Sequence, residues 1–203
     1  QSLTAYVIST VEFLAADEGE AALVCVPPYR IAGISAVLTS VFGGRRMVQL
    51  PAFTPEAWVE AAQVEDITHA MVVPTMLGRI LDVLEKRRLR LPKLRALSYG
   101  GGRMPLAVVE RAMDLLPHVD FVNAYGLTET SSTVAILDPE QHRLARASED
   151  PEVRRRLSSV GRPLPSVELE IRDEAEAPVS AGVVGEGWVR GDQISGEYHG
   201  GKA

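Results

Sequence analysis

Leu94-Arg95-Ala96-Leu97-Ser98-Tyr99-Gly100-Gly101-Gly102-Arg103-Met104-Pro105 decides the fold: a short apolar run passes through a glycine turn to a proline that pre-sets φ for a helix. Pro105 to Leu116 has helical period, and Val119 to Asn123 is another short apolar run. Together these segments read as strand, helix, strand. Towards the N-terminus the pattern repeats, with strands expected at Ala21 to Val26, Met47 to Leu50 and His69 to Val73. Helices are expected at Ile31 to Phe42, Pro55 to Val64 and Thr75 to Arg88, and Thr54 before Pro55 is a favourable N-cap. The alternation predicts an α/β fold with a mostly parallel sheet and helices on both faces. In such sheets ligands gather beyond the C-terminal strand ends.

After about Pro139 the pattern changes. Gln141 to Arg156 is strongly charged, and the alternating runs Val167 to Ile171 and Val183 to Val189 follow between Gly and Pro residues. We therefore expect an α/β unit over residues 1–139 and a smaller β-rich, barrel-like unit over 140–203. Asp173-Glu174-Ala175-Glu176 reads as a solvated hairpin tip, since it lacks metal-loop spacing.

Composition narrows the function classes. The 203 residues are 46% hydrophobic and 24% charged, which suits a packed core. A net charge of -6 argues against nucleic acid as partner, and Lys86-Arg87-Arg88-Leu89-Arg90 reads as a basic helix end. Cys25, the single cysteine, lies in an apolar run and is expected to be a buried thiol in a reducing compartment. The apolar stretch Ile31 to Gly43 is too short to span a bilayer, which takes about 20 residues, and no secretory signal precedes it; a cytoplasmic location is expected. His69, His118, His142 and His199 do not cluster at metal-ligand spacing, and there is no Gly-x-Ser-x-Gly elbow.

Two loops could carry chemistry. In Asn123-Ala124-Tyr125-Gly126-Leu127-Thr128-Glu129-Thr130 a strand ends and a glycine turn follows, with an aromatic, hydroxyls and a carboxylate. Tyr125 can stack on a base, Thr128 can bond a phosphate oxygen, and Glu129 can hold a Mg²⁺ that bridges phosphates. Equally, Thr128-Glu129 can cap a short helix while Tyr125 packs on the sheet. Gly100-Gly101-Gly102 implies either bare backbone touching a ligand or simply a flexible turn.

The first of these loops closely resembles the Tyr-Gly-x-Thr-Glu signature of the adenylate-forming superfamily, which includes acyl-CoA synthetases, luciferases and peptide-synthetase adenylation domains. Three further segments resemble that family in the same order. They are Gly100-Gly101-Gly102-Arg103-Met104-Pro105, Ser159-Val160-Gly161-Arg162-Pro163-Leu164-Pro165, and Gly185-Glu186-Gly187-Trp188-Val189-Arg190-Gly191-Asp192-Gln193. Four collinear matches carry more weight than any one of them.

The resemblance implies an ATP-dependent acyl-CoA ligase using ATP, Mg²⁺ and coenzyme A, with a carrier protein as the alternative thiol acceptor and a non-catalytic adenylate-binding module as the alternative outside enzymology. It implies that Tyr125 stacks on adenine beside Asn123, Ala124, Gly126 and the Gly100-Gly101-Gly102 backbone. Thr128 would bond the α-phosphate and Glu129 would bind Mg²⁺. The acyl pocket is expected around Arg30, Thr75, Met76 and Gly126; its apolar residues, with the ending Gln193 to Tyr198, suggest a fatty or aromatic acid. Arg30 stands where many members have His, and Arg103 and Asp192 replace prolines. The family's phosphate loop and catalytic lysine find no match among Lys86, Lys93 and Lys202, so the chain is expected to be an inactive partial domain of a larger ligase.

Overall fold

A computed structural model describes residues 2–195. His199, Lys202 and the Gly196-Glu197-Tyr198 ending lie outside them. The elements run α1 (Ser2–Thr10), β1 (Ala21–Val24), α2 (Ile31–Gly43), β2 (Arg46–Gln49), α3 (Pro55–Val64), β3 (His69–Val72), α4 (Pro74–Arg87), β4 (Ala96–Gly100) and α5 (Leu106–Leu115). They continue with β5 (Asp120–Leu127), β6 (Ser132–Leu137), α6 (Pro139–Ala147), α7 (Pro151–Arg154) running into a 3₁₀ turn (Arg155–Ser158), β7 (Arg162–Pro163), β8 (Glu168–Arg172) and β9 (Glu186–Arg190). Helix starts follow the sequence signals: Thr54 Oγ1 accepts from Ala57 N, and Asp138 Oδ1 accepts from Gln141 N ahead of Pro139. The basic run ends α4, with Arg88 left-handed at φ 54°.

The seven-stranded sheet has the order β2-β1-β3-β4-β5-β6-β7; β1 to β5 pair in parallel, and β6 and β7 are antiparallel. Side chains alternate across it. Ala21, Leu23, Ala70, Val72, Leu97, Tyr99 and Phe121 enter the main core with Trp58 of α3, Leu77, Ile80 and Leu81 of α4, and Val109 and Ala112 of α5. Helix α2 lies against β1, β2 and β6, and here the alternation presents Ala22, Val24, Ala96 and Ser98. Large residues on one face and mostly small ones on the other give a dense core and a gap.

The expected break at residue 139 meets a continuous core, because Ala145 of α6 and Leu157 of the 3₁₀ turn belong to the same buried cluster as Leu97 and Phe121. Strand β7 also pairs with β6. In place of a barrel, the described residues show one antiparallel pair, β8 with β9. The strand expected from Val183 begins at Glu186: a Cβ on Gly185 would lie 2.3 Å from the Arg172 carbonyl oxygen, and Val184 is 95% exposed. The acidic tip is a solvated turn, in which Asp173 Oδ1 accepts from the backbone of Ala175 and Ala177. Among the described residues no helix is long and apolar enough to cross a membrane.

Two buried groups set chemical behaviour. Burial pushes the Cys25 thiol up to about 11, which leaves it a poor nucleophile at neutral pH. His142 donates from Nδ1 to the Asp138 carbonyl and accepts the Tyr99 hydroxyl at Nε2, 2.8 Å away. Desolvation holds its imidazole below the ordinary 6.5. Since the unfolded chain then binds a proton that the folded state refuses, stability falls as pH drops below about 6.5, by up to about 1.4 kcal/mol per pH unit for each such histidine. Urea midpoints at pH 7 and pH 5 are expected to show this, with a smaller drop in His142→Gln.

Candidate active site

The gap under α2 is a cavity of about 220 Å³. On its helical side Ala32, Ser35, Ala36, Thr39 and Ser40 recur at the spacing of one helix face, and on its sheet side Ala96, Ser98, Ala124 and Gly126 hold the wall back. Beyond the C-terminal ends of β4 and β5 a second cavity of about 370 Å³ opens between Gly100 to Met104 and Asn123 to Leu127, closed by Leu157, Ser158 and Val160. Gly101, Ala124 and Gly126 line both cavities. One strand-end wall therefore separates two adjoining sites.

Backbone contacts explain the glycines differently from a simple turn. Strand β5 runs on to Leu127, so Tyr125 and Gly126 are strand residues; the turn falls at residues 128–131. A Cβ on Gly126 would lie 1.7 Å from the Ser132 carbonyl oxygen, at the register shift between Tyr125 and Gly126. Gly126 is required by the close approach of β6. On Gly100 the Cβ would lie 2.2 Å from the Ala124 carbonyl oxygen, and Gly101 has φ +74°. Gly161, at φ +78°, lies against the Ile136 carbonyl, which accounts for the glycine of the Ser-Val-Gly-Arg-Pro segment.

The hairpin tip is held from within and from outside. Thr130 Oγ1 accepts from Leu127 N and lies within hydrogen-bond distance of the Leu127 and Ser132 carbonyls. Ser131 and Ser132 both have positive φ, 50° and 115°, a strained arrangement that these bonds sustain. Gln193, 2% exposed, donates from Nε2 to the carbonyls of Thr130 and Thr133 at 3.0 and 2.8 Å, and Ser195 N donates to the Glu129 carbonyl. The sequence motif contained Gln193, but nothing in the residue itself revealed its role. We expect Gln193→Leu to cost about 1–3 kcal/mol, read from the urea midpoint, because two buried carbonyls lose their donor.

The structure gathers Gly100, Gly101, Gly102, Asn123, Ala124, Tyr125 and Gly126 around the larger cavity. Tyr125 is 41% exposed beside it, so its ring has room for a planar partner. Asn123 uses Nδ2 to bond the Ser159 carbonyl at 2.9 Å, tying the Ser159-Val160 loop to β5. Thr128 and Glu129 stand exposed on the tip, past the lip at Leu127. Of the four residues expected around the acyl group, only Gly126 lines the cavity under α2. Thr75 faces solvent because α4 turns Leu77, Ile80 and Leu81 into the core; Met76 packs against that core, and Arg30 is exposed at the N-cap of α2.

The lining of the larger cavity combines the backbone of Gly100 to Gly102 with the Tyr125 ring, groups against which a planar ring can pack. Among the described residues no three His, Cys, Asp or Glu side chains form a metal cluster.

The family model for AMP-binding enzymes matches residues 1–199. The chain belongs to the AMP-binding enzyme family. The long-chain-fatty-acid–CoA ligase of Thermus thermophilus is 30% identical over 95% of this chain and 35% of that protein. A fatty acid–[acyl-carrier-protein] ligase of Streptomyces coeruleorubidus is 29% identical over 88% of this chain and 30% of that protein. The solved o-succinylbenzoate CoA synthetase of Bacillus subtilis, in complex with its acyl-adenylate intermediate, superposes with a TM-score of 0.82 at 25% identity, covering 100% of this chain and 38% of that one. This AMP-binding family member thus spans roughly a third of the length of the relatives it matches.

Proposed function

We propose that this chain supplies the adenine and acyl walls of an ATP-dependent acid–thiol ligase, with coenzyme A as the acceptor and the remaining machinery in sequence beyond it. One observation carries the reading: the two cavities adjoin and share Gly101, Ala124 and Gly126. An acyl-adenylate has the same layout, a base at one end and an acyl group at the other, joined through a phosphate. In the proposed reaction the substrate carboxylate attacks the α-phosphate of ATP, and the bond to pyrophosphate breaks. The thiol sulfur then attacks the acyl carbon and AMP leaves.

The protein's part is alignment and charge neutralisation. Tyr125 and the glycine backbone hold the base, Thr128 reaches the α-phosphate, and Glu129 holds the Mg²⁺ that neutralises phosphate charge. The hairpin-tip bonds to Thr130, with Gln193, keep Thr128 and Glu129 in place. A fatty acid is one occupant of the acyl side.

The test uses the gene product that contains this chain, incubated with ATP, Mg²⁺ and a panel of carboxylic acids, with coenzyme A or a carrier-protein thiol. Acid-dependent pyrophosphate release followed by acyl-CoA formation is expected. Release followed by transfer only to the carrier protein would replace the acceptor, and ATP binding without any acid-dependent release would leave a non-catalytic adenylate-binding module.

A further inference from the structure

We infer that the cavity under α2 selects carboxylic acids whose far end carries a neutral oxygen, such as a hydroxyl, and that this oxygen accepts from Arg45 and Ser40, with a hydroxyl able to donate to His69 Nε2 as well. The inference rests on the proposed ligase reading and adds to it a substrate class.

The cavity runs beneath α2 from Gly101 and Gly126 to Arg45 and His69. Ile31 and Ser40, both in its wall, are nine residues apart, so its long axis is about 14 Å. At about 30 Å³ per water-sized group, 220 Å³ holds roughly seven such groups, enough for an acid of medium length.

Its inner end is polar by construction. Helix α2 closes in a Schellman turn: Gly44, at φ 75°, donates to the Val41 carbonyl, and Arg45 N donates to the Ser40 carbonyl at 2.8 Å. This turn sets Arg45 beside Ser40. Arg45 Nε donates to Glu20 at 2.8 Å, and no partner for its two terminal nitrogens is found among the described residues. Ser40 is 3% exposed and lines the cavity, and its hydroxyl makes no hydrogen bond among the described residues. His69 Nδ1 bonds Thr68 Oγ1 at 2.8 Å, which leaves Nε2 as the ring's remaining polar atom.

The Ser40 hydroxyl, in the cavity lining, is therefore open to bond a group seated there. A plain hydrocarbon tail offers Ser40 and Arg45 no acceptor in place of the water it displaces, whereas an oxygen at the tail end accepts from them. Glu20 already balances the charge of Arg45, so a neutral oxygen fits better than a second carboxylate. His69 is held neutral by desolvation and by Arg45, so it adds no net charge.

The experiment compares kcat/KM for acid-dependent pyrophosphate release by the gene product across three series of about six to ten carbons: plain fatty acids, ω-hydroxy acids and α,ω-dicarboxylic acids. At the best length the ω-hydroxy acid is expected to exceed its fatty counterpart by about tenfold or more, because a site that bonds an oxygen rejects the analogue lacking it. Arg45→Met is expected to erase that ratio with KM for ATP unchanged, and Ser40→Ala to reduce it. Should Arg45→Met not fold, the wild-type series and Ser40→Ala still decide. Fatty acids preferred at every length, dicarboxylic acids preferred over hydroxy acids, or a ratio unmoved by the variants would each overturn the inference. Failure of all acids to release pyrophosphate would instead overturn the ligase reading on which it rests.

Discussion

Replacing Gly126 with alanine is expected to lower stability by about 3 kcal/mol or more and to remove adenylate binding. The new Cβ would sit 1.7 Å from the Ser132 carbonyl oxygen and 2.9 Å from the Thr133 Cα, both backbone atoms that no rotamer change can move aside. The hairpin of β5 and β6 must then open. Because Gly126 lines both cavities, the disturbance reaches both together. Gly102→Ala is the control: the nearest atom to its Cβ is Pro74 Cγ at 3.9 Å, so stability is expected to change by less than about 0.5 kcal/mol. Urea midpoints and the affinity of an acyl-adenylate analogue, measured on both variants, check the contrast.

Glu129→Ala is expected to behave in the opposite way. Glu129 is exposed on the hairpin tip, and its backbone carbonyl, which accepts from Ser195 N, is retained in the variant. Stability should stay within about 0.5 kcal/mol. If its carboxylate neutralises phosphate through Mg²⁺, pyrophosphate release should fall by about a hundredfold or more, the scale of losing one preorganised charge-stabilising group. Unchanged pyrophosphate exchange in this variant would remove Glu129 from the mechanism. The pair of variants separates a residue that builds the site from one that works in it.

Much of the parallel sheet was legible because large apolar side chains alternate with turn residues at regular spacing. The alternation Ala96-Leu97-Ser98-Tyr99 even carries the difference between the two faces, with Leu97 and Tyr99 in the core and Ala96 and Ser98 on the cavity. Strand β6 was not legible: its opening Ser132-Thr133 looks like loop, and only pairing with β5 makes it a buried strand. That pairing also changes the meaning of Gly126 from turn residue to close-approach residue.

The motif residues lining the strand-end cavity were legible because each is local to the end of β4 or β5. The lining of the cavity under α2 was not. Arg30, Thr75 and Met76 do not line it: α4 turns Thr75 to solvent, and Arg30 caps α2 by backbone alone. The residues that do wall the cavity, Ser35, Thr39, Ser40, Arg45 and His69, look in sequence like ordinary helix and strand-edge residues. Gln193 was hidden for a similar reason, since a side chain reaching back 60 and 63 residues leaves no local signal.

The central claim is that the cavity beside Tyr125 holds the base of an adenylate. Calorimetric titration of the gene product containing this chain with a non-hydrolysable acyl-adenylate analogue tests it most directly, with Tyr125→Ala measured alongside. Saturable one-site binding is expected, weakened about tenfold or more in the variant, because stacking of a base on an aromatic ring is worth about 1–3 kcal/mol. No saturable binding by the wild type, or equal affinity in Tyr125→Ala, would contradict the claim.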